Sequence, residues 1–149
     1  MLAYQTEHLF SYRATIAAPE VIGPCPGDIR LNFPLTGGEV SGPKLSGKVK
    51  GGGADFATLR TDGVILVDVR GTLESDDGAL IDIAYQGVLD LGADGYANFL
   101  KGVMPPELKV RAEPRFRTAH QWLNRLQCFS IGEADLAKQE ITYDVYALR

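Results

Sequence analysis

The stretch GVILVDVRGTLESDDGALIDIAYQGVLDL, Gly63 to Leu91, holds two runs of alternating apolar and polar residues joined by Asp76-Asp77-Gly78. A period of two sends successive side chains to opposite faces of an extended chain, so each run reads as a β-strand. The short junction reads as a hairpin turn, with Gly78 supplying the positive φ that the aspartates tolerate less easily. On the first strand Asp68, Arg70, Thr72 and Glu74 share one face. On the second, Asp82, Ala84 and Gln86 oppose Ile81, Ile83 and Tyr85.

The same period recurs on either side. HLFSYRATIAA alternates Leu9, Ser11 and Arg13 against Phe10, Tyr12, Ala14 and Ile16, and ITYDVYAL places Ile141, Tyr143, Val145 and Ala147 on one side of a last strand. Most of the 17 glycines and 8 prolines fall between such runs, in GPCPGD, LTGGEVSGP, KGGGAD, GADG and GVMPPE. Turns at these short intervals suit an antiparallel meander, and closing it removes the exposed edges of an open sheet. Only GYANFLKGVM, ended by Pro105-Pro106, and TAHQWLNRL have room for helix. The expectation is an all-β chain forming a single antiparallel β-barrel domain over residues 1–149. It would have about eight strands, the smallest common barrel with room for one small ligand, and at most one or two short helices.

A length of 149 residues suits one self-sufficient core. Net charge is −4, and the lysines and arginines are scattered rather than massed in a stripe, which argues against nucleic acid as a partner. Cys25 and Cys128 stand far apart and outside any CxxC, so neither a disulfide framework nor a zinc site is signalled. The first residues lack both a signal-peptide pattern and a long apolar run, so the expected location is cytoplasmic, without a membrane partner. Self-association into a homo-oligomer is expected, because barrels of this size often cover outer apolar strands with a second copy.

Several constellations are candidates for chemistry. The Asp68, Arg70, Thr72, Glu74 face is either a solvated outer wall with cross-strand ion pairs or a polar lining turned toward a pocket, where an Asp–Arg pair would be geometrically demanding. The triple glycine of KVKGGGADFATLRTDG matches neither phosphate-binding pattern and reads as a bulge or barrel corner, flanked by Asp55, Arg60 and Asp62. The odd separation of Asp55 and Arg60 puts them on opposite faces unless a bulge intervenes. His8 and His120 cannot complete a metal site by themselves, so no metal and no cofactor is expected. His120 suits proton transfer at neutral pH. FRTAHQWLN gathers Thr118, His120, the only tryptophan, Trp122, and Asn124, an aromatic body with polar heads of the kind that lines small-molecule pockets or an ordinary barrel end.

These residues resemble a known family of small bacterial and fungal proteins, domain of unknown function 3237. The likeness rests on GD-R (Gly27, Asp28, Arg30), TGGEVSGPKLSGKV, GGADF followed by RTDGV, LVDVRGTL, DDGALI, YQG, FRT and WLN, and spans nearly the whole chain. It implies a compact antiparallel barrel related in shape to calycins and to allene-oxide-cyclase-type barrels. No established reaction comes with it for most members. His120 stands where an aromatic residue is typical and Arg117 where an acid is usual.

The resemblance favours the inward reading of Asp68 and Arg70, with Arg30, Asp55, Arg60, Tyr85, Thr118, Trp122 and Asn124 around the same cavity. The expected function is binding of a small organic carbonyl or carboxylate compound, with cofactor-independent acid–base isomerisation, cyclisation or elimination. In that scheme Asp68 or Asp55 is the base and Tyr85 or His120 the proton donor. Arg70 with Asn124 steadies a developing oxyanion, while Arg30, Arg60, Thr118 and Trp122 contribute to substrate binding. The alternative is a non-catalytic carrier of lipocalin-like type.

Overall fold

The computed structural model describes residues 1–149. Its elements are β1 (Thr6–Ile16), β2 (Glu20–Cys25), β3 (Asp28–Ser41), β4 (Gly47–Val49), β5 (Ala54–Arg60), β6 (Val64–Ser75), β7 (Leu80–Asp90), α1 (Gly95–Leu100), β8 (Leu108–Thr118), α2 (Gln121–Asn124), β9 (Cys128–Asp135) and β10 (Glu140–Leu148). Neighbours run β1-β10-β9-β8-β7-β6, continue through β4 and β5 to β3, and close where β3 pairs back onto β1. All pairs are antiparallel. Because β4 and β5 occupy one position in the wall, the result is a closed barrel of eight strands, with β2 paired to the first half of β3 on the edge that β1 occupies further along.

The Gly63–Leu91 stretch folds as its pattern predicts. β6 and β7 pair from Val64↔Asp90 to Glu74↔Leu80, and Gly78 takes φ 84° in the turn. Alternation fails once on β1, where Leu9 and Phe10 are both buried. A bulge between His8 and Phe10 lets two consecutive side chains turn inward.

The triple glycine marks the break between β4 and β5. Gly53, at φ 94°, passes so close to β6 that a Cβ would lie 2.3 Å from the Arg70 carbonyl oxygen, so only glycine fits. One wall position is thereby split into two strands, and Asp55 follows just after the break.

Inward side chains fill one end of the barrel. Leu73 lies opposite Ile81, Ile83 opposite Phe116, and Phe10 meets Phe116 edge to face at 5.8 Å. The short α2 lies against β8 and contributes the fully buried Leu123. Each such side chain contributes about 1.5–3 kcal/mol on burial, and together they leave that end solid. At the other end, where β1 runs into β2 and α1 follows β7, the lumen stays open.

Candidate functional site

The open end holds a cavity of about 330 Å³. Its walls come from the inward positions of β3, β5, β6, β7, β8, β9 and β10, including Phe33, Ala57, Val67, Val69 and Val110, with Phe99 of α1 and Met104 beyond it at the mouth. Of the 22 lining residues 19 are hydrophobic, so the space favours a compact apolar skeleton over a sugar or a nucleotide. Asp55 is the only charged residue in the lining.

Asp55 faces inward because β5 keeps strict alternation. It lies opposite Val69 on β6 and Phe33 on β3, both of which line the lumen. Between Asp55↔Val69 and Thr58↔Leu66 the β5–β6 ladder lapses, and side chains take over the freed backbone groups. The Asp68 N–H donates to Asp55 Oδ1 at 2.9 Å, and Arg30 Nη1 donates to the Phe56 carbonyl oxygen at 2.7 Å. One carboxylate oxygen is thus fixed by the wall.

Burial in this apolar setting pushes the Asp55 carboxyl up to about 6. The Asp68 N–H opposes the shift, the negative charge of Asp68 adds to it, and the Arg30 guanidinium works against it. An acid poised near neutrality can both take and return a proton.

Across the lumen stands a layer of three tyrosines. Tyr12 and Tyr143 are a cross-strand pair with rings stacked at 5.2 Å, and Tyr85 reaches from β7 to meet Tyr143 edge to face, also at 5.2 Å. Tyr143 is accommodated by Gly132, its partner on β9, where a Cβ would lie 2.2 Å from the ring. Tyr85 lines the cavity. The hydroxyls of Tyr12 and Tyr143 approach that of Tyr85, yet both are buried without a hydrogen-bond partner. Burial raises all three phenols well above their ordinary range, and each also feels the charge of Asp55.

Of the residues expected at the site, the structure brings together Asp55 and Tyr85. The expectation that Asp68 and Arg70 face the lumen is overturned. Val67 and Val69 point inward, so parity turns Asp68 and Arg70 to the outside, where they lie 4.0 Å apart and Arg70 is 68% exposed. Apolar faces of β6 and β7 fill the lumen because desolvating an Asp–Arg row would cost more than its mutual attraction returns. Further along the same outer face, Glu74 pairs with Lys48 and Lys50 at 3.3 and 3.2 Å.

Arg30 also lies on the outer face of its strand and reaches the wall only through the Phe56 carbonyl. Arg60 is outside and pairs with Asp62; no bulge interrupts β5 to bring it round to the side of Asp55. Thr118, His120, Trp122 and Asn124 gather at the closed end, away from the cavity. Asn124 accepts the Thr118 N–H at 3.0 Å and donates to the Thr118 carbonyl at 2.7 Å, bracketing α2, and Trp122 is 38% exposed.

His120 Nε2 sits 3.3 Å from Ser75 Oγ and 3.4 Å from Asp77 Oδ2, tying α2 to the β6–β7 turn. Both partners share one ring nitrogen, whereas a relay from carboxylate to serine needs opposite ones. Nowhere in the chain do three His, Cys, Asp or Glu side chains gather as a metal ligand set. No helix is long and apolar enough to cross a membrane.

Sequence reasoning missed Tyr12 and Tyr143. Tyr143 stood on the same face as Ile141 and Val145, and a glycine facing it across the sheet was the available signal.

Residues 4–148 match the family model described as protein of unknown function (DUF3237). A curated relative from Rhodopseudomonas palustris, called a UPF0311 protein, is 32% identical over 148 residues, 95% of each chain. Among solved structures, a conserved protein of unknown function from Rhodopseudomonas palustris superposes with TM-score 0.88 at 26% identity and full coverage of both chains. A beta-barrel like protein from Acinetobacter baumannii gives TM-score 0.80 at 26% identity, covering 100% of this chain and 98% of that one. An enzyme from Penicillium herquei shares the fold at TM-score 0.71 and 22% identity, over 100% and 97% of the two chains.

Proposed function

The chain belongs to the DUF3237 family, and from that premise we propose that its barrel binds a compact, mainly apolar carbonyl or phenolic compound and moves a proton on it through Asp55, without a cofactor. One observation carries this reading: a single carboxylate, its pKa pushed up to about 6, is fixed by a backbone N–H in a predominantly apolar cavity. A carboxylate there has little water to compete with and works on whatever acidic proton the ligand presents. Tyr85 is placed on the same inward row, opposite Val69, and serves as hydrogen-bond donor to the ligand oxygen. The arginines leave this scheme, because they stand outside the wall.

A second reading, a carrier that releases its ligand unchanged, is favoured by the apolar lining. Enolisable bicyclic ketones incubated in deuterated water and followed by NMR distinguish the two. The enzyme reading expects α-proton exchange above background in the wild type and its loss in Asp55→Asn. Binding with no exchange in either protein leaves the carrier.

A further inference from the structure

The buried hydroxyls of Tyr12 and Tyr143 play no part in that scheme. A phenol hydroxyl without a partner in an apolar interior is costly, and natural cores rarely keep two side by side. Both belong to β1 and β10, the part of the wall opposite Tyr85, and both approach the Tyr85 hydroxyl without completing a bond. Neither hydroxyl has a hydrogen-bond partner, although the charge of Asp55 is felt by both. Phenylalanine would fill the same volume, so packing does not account for the oxygens.

We propose that Tyr85, backed by Tyr12 and Tyr143, is a recognition site for one ligand oxygen, and that the molecules this barrel takes are phenols or enolisable ketones on an apolar skeleton. The proposal rests on the reading of the lumen as a ligand site. Tyr85 is the hydroxyl that touches the ligand. Tyr12 and Tyr143 are positioning residues that act through it.

When Tyr85 donates its O–H to the ligand oxygen, its own oxygen becomes a better acceptor, and the two neighbouring hydroxyls complete their bonds by donating to it. Such a chain polarises along its length, and the Tyr85 donor strengthens as charge develops on the ligand. With an enolisable ketone the balance is simple. Asp55 takes the α-proton, the C–H electron pair becomes the enolate double bond, and the carbonyl π pair moves onto the oxygen held by Tyr85. Return of a proton from Asp55, after the one it took has exchanged with solvent, closes the cycle and replaces the α-hydrogen, with no oxidant or co-reactant.

The test uses the intact chain with 2-naphthol and naphthalene, two flat probes that differ by one hydroxyl, and measures affinity by calorimetry and melting temperature without ligand. The wild type is expected to prefer 2-naphthol about tenfold, in keeping with one or two net hydrogen bonds. Tyr85→Phe is expected to erase that preference. Tyr12→Phe and Tyr143→Phe are expected to reduce it about two- to fivefold while leaving naphthalene affinity unchanged. Both of these variants should also melt higher than the wild type when unliganded, because each deletes an unpaired buried hydroxyl. A merely structural tyrosine would do the opposite and melt lower on losing its oxygen. Equal binding of the two probes by the wild type overturns this proposal and leaves the lumen reading intact. So does a lowered melting temperature in Tyr12→Phe and Tyr143→Phe with the preference unchanged. Failure of both probes to bind removes the lumen reading and this proposal with it.

Discussion

Replacing Asp55 by asparagine should make the protein more stable at neutral pH and leave it nearly unchanged in acid. The carboxyl ordinarily titrates at 3.8 and is pushed up to about 6 by burial. The folded state therefore holds the proton more tightly than the unfolded chain does. The stability this brings is complete below pH 3.8 and is lost as pH rises through about 6. Each tenfold step in proton affinity corresponds to about 1.36 kcal/mol, so by pH 8 the ionised carboxylate costs the fold about 3 kcal/mol. Asparagine is neutral throughout and its Oδ1 can still accept the Asp68 N–H, which Asp55 Oδ1 takes at 2.9 Å. Asp55→Asn should thus gain about 3 kcal/mol at pH 8, or roughly 6–12 °C in melting temperature for a domain of this size, and close to nothing at pH 3.5. Scanning calorimetry of both proteins at the two pH values measures the gap. A gap of equal size at pH 3.5 and pH 8, or a variant less stable than the wild type at pH 8, refutes the argument that desolvation sets this group's proton affinity. A stabilising loss of a buried charge is also what a functional residue leads one to expect, since sites trade stability for reactivity.

The remaining predictions concern packing and thiols. In Gly132→Ala the new methyl would meet the Tyr143 ring at 2.2 Å, so the ring must shift. A loss of about 1–3 kcal/mol or more is expected in denaturant unfolding, and an unchanged midpoint would show that Tyr143 is not held where the structure places it. Cys128 is buried and its thiol is raised to about 11, whereas Cys25 is partly exposed. Alkylation at pH 8 should therefore modify one thiol per chain in the folded protein and the second only after unfolding; two fast thiols would contradict the burial of Cys128.

Much of the architecture was legible in the chain itself. A period of two needs no partner to be read, because the backbone alone sends alternate residues to opposite faces. Hence β6, β7 and β10 stand where the alternation put them, and Gly78 makes the turn expected of it. The triple glycine was readable as a break, since glycines can take the positive φ found at Gly52 and Gly53 and can pass a backbone as closely as Gly53 passes β6. The odd spacing of Asp55 and Arg60 already separated their faces.

What alternation could not supply was its phase: which of two faces becomes the lumen. For β6 that choice lay between a valine face and an Asp–Arg face, and only closure of the barrel decided it, by making burial cheap for Val67 and Val69 and costly for Asp68 and Arg70. The same closure carried Thr118, His120, Trp122 and Asn124 to the solid end and brought Tyr12, Tyr85 and Tyr143 together from strands far apart in sequence. Local pattern fixes which side chains share a face, because that is a property of one strand. Which faces meet is a property of eight strands at once, and the site of Asp55 and the tyrosines exists only there.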